Sequence, residues 1–155
     1  MSLILATGSN IGNGPENLQQ AKLHLCQHFN LIKESSIYYS QAVDYLEQDH
    51  FYNQVLEFSL PQNSPQETLE FIKEIEKKLG RSKTIPKGPR CIDIDIIFWD
   101  CLVINRPGLS IPHPLWKNRL FVCGPLQELP FFEFAKINFG PIPHKFDHWA
   151  HPLEN

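Results

Sequence analysis

An α+β fold, an antiparallel sheet with helices on one face, is what the sequence predicts. Three observations carry it. Two amphipathic helical stretches each follow a strand-like run, a pair of such runs lies between the two helices, and the segment from Cys91 to Ile96 alternates strictly between branched apolar residues and others. The resulting order is βαββαβ.

Leu3 to Thr7 reads as a first buried strand, ended by the turn signal Gly8-Ser9-Asn10 and by Gly12 and Gly14. A helix follows, opened by Pro15 and carrying Leu18, Ala21, Leu25 and Phe29 on one face. Leu31 to Tyr39 is expected to be a second strand and Phe51 to Leu60 a third, with a polar loop from Ser40 to His50 between them. Ser64-Pro65-Gln66-Glu67 supplies a capping box for a second helix, whose stripe runs Leu69, Ile72, Ile75, Leu79 before a C-terminal cap at Gly80. After a basic loop from Arg81 to Lys87, Cys91 to Ile96 forms a fourth strand. This order is that of the ferredoxin-like split βαβ fold. Leu102 to Ile111, turning at Pro107-Gly108, predicts a hairpin, and Pro114 to Leu129 a short helix. The thirteen prolines, many of them after residue 106, predict an irregular C-terminal third.

The 155 residues, 42% of them hydrophobic, fit a single domain over 1–155. The net charge is −3 and the basic residues are scattered, which argues against a nucleic-acid partner. No run is long enough to span a membrane, and Met1 to Gly8 lacks the basic start of a signal peptide. Cys26, Cys91, Cys101 and Cys123 stand far apart with no C-x-x-C pair, as expected of reduced thiols in a cytoplasmic protein.

Asp93 and Asp95 are two apart in a strand, so both carboxylates share one face while Ile92, Ile94 and Ile96 share the other. Neighbouring carboxylates repel unless a cation lies between them, and magnesium suits them because it takes oxygen ligands and shares them with substrate phosphates. A solvated strand face is the alternative for the bare pair. Arg90 just before the strand, and Arg81, Lys83 and Lys87 on the preceding loop, add the cations that phosphoryl transfer uses, although surface charge alone also accounts for the loop. His113, Lys117 and Arg119 place an imidazole and two more cations in one short segment; His113 alone fits a loop histidine equally well. Phe51 and Asn53 share a strand face and pair an aromatic surface with an amide, a combination suited to a planar heteroaromatic ligand or to ordinary core packing. There is no G-x-x-x-x-G-K-[ST] phosphate loop and no dinucleotide fingerprint. His24 and His28 are expected on an exposed helix face, and His144, His148 and His151 in a solvated tail.

Gly8-Ser9-Asn10, Phe51-x-Asn53, Glu76-x-x-x-Gly80-Arg81, Gly88-Pro89-Arg90-Cys91-Ile92-Asp93-Ile94-Asp95-Ile96 and Pro112-His113 followed by Lys117-Asn118-Arg119-x-Phe121 together resemble, over nearly the whole chain, the 6-hydroxymethyl-7,8-dihydropterin pyrophosphokinase family of folate biosynthesis. The resemblance implies transfer of the diphosphate of ATP to the pterin's hydroxymethyl oxygen, with release of AMP. It implies two magnesium ions on Asp93 and Asp95, and phosphate contacts from Arg81, Arg90, His113 and Arg119, with Lys83 where the mobile loop often has arginine. Phe51 and Phe121 would sandwich the pterin and Asn53 bond its edge, while Glu76 and the main chain near Ile96 and Ser110 would lie around the nucleoside. A cytoplasmic monomer binding ATP and the pterin is the expectation. The chain departs from the family pattern at Lys83, Lys87, Pro114 and Ser40-Gln41. Two other readings compete: a pterin- or nucleotide-binding relative with weak turnover, and a metal-dependent nucleotidyltransferase, which usually sets Gly-Ser close before its D-x-D.

Overall fold

A computed structural model describes residues 1–43, 46–80 and 91–153. Its main sheet is antiparallel, with β1 (Ser2–Ser9) between β4 (Phe51–Ser59) and β5 (Asp93–Trp99). Beyond β4 lie β2 (Leu31–Glu34) and β3 (Tyr38–Ser40), and β8 (Ala150–Pro152) pairs with β3. The helices α1 (Gly14–Cys26) and α2 (Pro65–Lys78) cover one face, and β6 (Ile104–Arg106) with β7 (Leu109–Ile111) forms the predicted hairpin, turning at Gly108 with φ of 80°. The ferredoxin-like α+β prediction holds.

Local chemistry sets both helix starts. The Asn13 side chain accepts from Glu16 N at 3.2 Å at the start of α1. At α2, Ser64 Oγ accepts from Glu67 N at 3.1 Å while Glu67 Oε1 accepts from Ser64 N at 3.0 Å, the reciprocal capping box. Leu18, Ala21, Leu25, Ile72 and Ile75 turn inward against Leu3, Leu5, Leu56, Phe58, Ile94 and Ile96 of the sheet. Each such aliphatic side chain contributes roughly 1.5–3 kcal/mol on full burial.

The opposite face is also covered. A 3₁₀ turn (Trp116–Asn118), α3 (Leu120–Leu126) and α4 (Phe132–Phe139) pack over Ile4, Val55, Ile97 and Phe98. A bulge between Ile4 and Leu5 in the β1–β5 pairing breaks the alternation, so Ile97 and Phe98 both join this second cluster. Glu57, buried in β4, ties the face together: it accepts from Ser2 Oγ at 2.8 Å and from Phe131 N at 3.0 Å, ahead of α4.

The expected strand from Leu31 to Tyr39 is two strands. Ser35 and Ser36 interrupt it with side-chain bonds: Ser35 Oγ accepts from Val55 N at 3.0 Å and donates to Ser36 O at 2.8 Å, and Ser36 donates through N and Oγ to Glu128 Oε1. The fourth predicted strand begins at Asp93 rather than Cys91 and runs on to Trp99. The C-terminal third holds more regular structure than its prolines predict, namely α4 and β8. His148 is not in a solvated tail, because its side chain is only 4% exposed; His151 is exposed, as expected, although it stands in β8.

Candidate functional site

The pocket sits on the face opposite α1 and α2, and strand register builds its floor. Asp93 is paired with Gly8, and Gly8 with Asn53, so the three lie side by side across β5, β1 and β4. Asp95 lies beside Ala6 in the next row on that face. Glycine and alanine at these positions leave room above the sheet; a methyl added to Gly8 would approach Asn53 Oδ1 to 3.1 Å and Phe51 to 3.7 Å.

The resulting cavity of about 380 Å³ is lined by Phe51, Asn53, Asp93, Asp95, His113, Arg119 and Phe121, together with Ser40, Gln41 and Pro114. Seven side chains picked from sequence, spread over seventy positions, thus meet at one place. Asn53 is buried and its Nδ2 donates to Ser40 Oγ at 2.6 Å, which fixes the amide. Ser40 therefore orients Asn53. Arg119 Nη1 lies 4.0 Å from Asp95 Oδ2 and its guanidinium 5.7 Å from the Phe121 ring, so the segment leading into α3 carries a cation and an aromatic wall together. His113 donates its main-chain N–H to Ile97 O at 2.9 Å, and its Nδ1 accepts from Leu115 N at 3.1 Å. An accepting Nδ1 leaves the ring proton on Nε2, which makes Nε2–H a donor.

Glu76, Ile96 and Ser110 lie outside this lining. Glu76 is buried on α2 and its Oε2 accepts from Ile94 N at 2.9 Å, so it satisfies a main-chain donor of β5. Ile96 is buried under α2, and Ser110 stands in β7 opposite Asn105. Arg81, Lys83 and Arg90, with Lys87, lie outside the described residues. Leu115 and Val122 also line the pocket; only their place beside motif residues in the sequence points to them.

The donor set limits the metal. Among the described residues no three His, Cys, Asp or Glu side chains gather into a ligand cluster. Two carboxylates are too few for a closed zinc site, whereas magnesium takes its remaining ligands from water and phosphate. Elsewhere, burial pushes the Cys123 thiol up to about 12 while its Sγ lies 3.1 Å from Trp116 O, so it is an inert core group. The His28 ring packs edge-on against Phe71 at 4.1 Å and takes no part in the pocket.

Fold and pocket together define a class, a small ferredoxin-like domain with a pocket lined by paired carboxylates and aromatic rings. The profile of the 7,8-dihydro-6-hydroxymethylpterin-pyrophosphokinase family matches residues 4–130, and the chain belongs to that family. The matched stretch is an ATP-dependent pyrophosphokinase domain of folate biosynthesis. The chain is 40% identical over 127 residues to the 2-amino-4-hydroxy-6-hydroxymethyldihydropteridine pyrophosphokinase of Bacillus subtilis, covering 81% of this chain and 75% of that one. It is 41% identical over 125 residues to the folic acid synthesis protein FOL1 of Dictyostelium discoideum, where 81% of this chain spans only 19% of the relative. A Plasmodium falciparum HPPK-DHPS structure shares the fold with a TM-score of 0.64 at 16% identity, over 91% of this chain and 45% of that one. No described helix is long and apolar enough to cross a membrane.

Proposed function

We propose that the chain transfers the diphosphate of MgATP to the hydroxymethyl group of 6-hydroxymethyl-7,8-dihydropterin, as a single domain over 1–155 acting as a cytoplasmic monomer. The observation that carries this is the meeting of Asp93 and Asp95 with Phe51, Asn53 and Phe121 around one cavity, within a chain of the pyrophosphokinase family. Phe51 and Phe121 stack on the pterin and Asn53, held by Ser40, bonds its edge. Asp93 and Asp95 hold two magnesium ions, whose chemistry is to neutralise the phosphate chain. Asp93 also borders the pterin. The hydroxymethyl oxygen then bonds to the β-phosphorus as the bond from that phosphorus to the oxygen bridging the α-phosphate breaks; the hydroxyl proton passes to solvent and AMP leaves. His113 donates from Nε2 to the phosphates, and Arg119 with the loop cations Arg81, Lys83 and Arg90 balances their charge. Glu76 and the main chain near Ile96 and Ser110 lie around the nucleoside.

The test is AMP formation by the purified protein with MgATP and the pterin, alongside a no-pterin control and an EDTA control. Pterin- and magnesium-dependent AMP is the expected result. Binding of either substrate with no AMP would support the weak-turnover relative instead.

A further inference from the structure

The segment that carries Phe121 is bonded to a residue far along the chain. The segment Arg119-Leu120-Phe121 opens α3 without a side-chain cap of its own. Instead the Leu120 N–H donates to His148 Nε2 at 2.9 Å. The His148 ring, 4% exposed, lies 5.9 Å from Phe121 and 5.7 Å from Phe146. With Nε2 accepting, the ring proton is on Nδ1, which donates to Asp147 Oδ1 at 2.9 Å. This bond holds the Asp147 carboxyl below its usual range. Just beyond His148 the chain joins the opposite wall: Gln41 N donates to Trp149 O at 3.2 Å, and Ala150 pairs with Ser40, the residue that holds Asn53. One short segment, beyond the residues 4–130 matched by the family profile, thus grips both walls of the pocket.

We propose that His148 is a positioning residue for the pterin wall, holding Phe121 over the pocket through the Leu120 amide, with Asp147 setting its tautomer. The proposal rests on the pterin reading of that pocket. Arg119 is tied separately, its N–H donating to Trp116 O at 3.4 Å, so the effect falls on the pterin more than on the nucleotide. A buried acceptor lost from a main-chain N–H weakens the held geometry by roughly tenfold.

The experiment compares wild type with His148→Leu, which keeps bulk and loses the acceptor, and His148→Gln, whose amide oxygen restores it. Asp147→Ala, at a side chain 99% exposed, is a variant that keeps the fold. Pterin and ATP affinities are titrated separately, and hydrogen exchange of the Leu120 amide is followed. Expected for His148→Leu are roughly tenfold weaker pterin binding and faster Leu120 exchange, with a smaller loss of ATP affinity. His148→Gln should recover both, and Asp147→Ala should show the same selectivity at roughly threefold. Unchanged pterin affinity, equal loss for both ligands, or Gln behaving as Leu would overturn the assignment. If wild type bound no pterin, the reading of the pocket would fall; Leu120 exchange unaltered in His148→Leu would overturn the role of His148 separately.

Discussion

Strands β1, β4 and β5 present two unlike faces. Toward α1 and α2 they turn Leu3, Leu5, Leu56, Phe58, Ile94 and Ile96, all buried. Toward the other side the same strands turn Ala6, Gly8, Asn53, Asp93 and Asp95, all lining the cavity. The period of two in a strand separates these jobs one residue at a time, so each strand can anchor itself through alternate residues while those between them stay open to ligands. Beyond the pocket, Ile4, Val55, Ile97 and Phe98 return the second face to apolar packing. The site is an interruption in a core, held in place from behind.

The largest test of this division uses adjacent residues. Asp95→Ala should cost on the order of 10³-fold in kcat/KM while leaving the thermal midpoint nearly unchanged, measured by steady-state kinetics and calorimetry. Ile94→Ala should do the reverse, losing roughly 2–5 kcal/mol of stability in denaturant titration with little loss of activity in the molecules still folded. A midpoint collapse in Asp95→Ala would dissolve the division. Next in size is Gly14→Ala. A methyl there would overlap the Tyr52 ring, since α1 starts against β4, and overpacking should cost about 1–3 kcal/mol in denaturant titration. The smallest effect sharpens the apolar side: Thr68, buried on α2, has a hydroxyl with no hydrogen-bond partner among the described residues, so Thr68→Val should raise stability by up to about 1 kcal/mol.

The apolar face was readable because local patterns specify it. The capping box at Ser64 and Glu67, the stripe through Ile72 and Ile75, and the alternation through Ile94 and Ile96 each declare an element without reference to the rest of the chain. The residues lining the pocket were legible as motifs, and strand register then brought Asn53, Gly8 and Asp93 into one row. What eluded sequence reasoning depends on partners distant in the chain. Ser35 and Ser36 break a strand because Val55 and Glu128 meet their side chains. β8 exists because β3 offers it an edge, and His148 is buried because Leu120 offers it an N–H. The prolines around these segments gave the opposite signal, since they report what a local helix or strand cannot do rather than what a neighbour supplies.

The central place of β1 also bears on how the molecule forms. Leu3 pairs with Phe58 on one side and Trp99 on the other, so the first strand cannot complete either ladder until distant stretches of chain have arrived. Closing such loops costs entropy before the contacts return it, which puts assembly toward the millisecond-to-second range (about 10⁻³–1 s) typical of sheets built from non-local pairs. While the ribosome is still delivering β5, Leu3, Ile4 and Leu5 have one neighbouring strand at most. In that interval the unpaired apolar strand leaves the nascent chain open to aggregation.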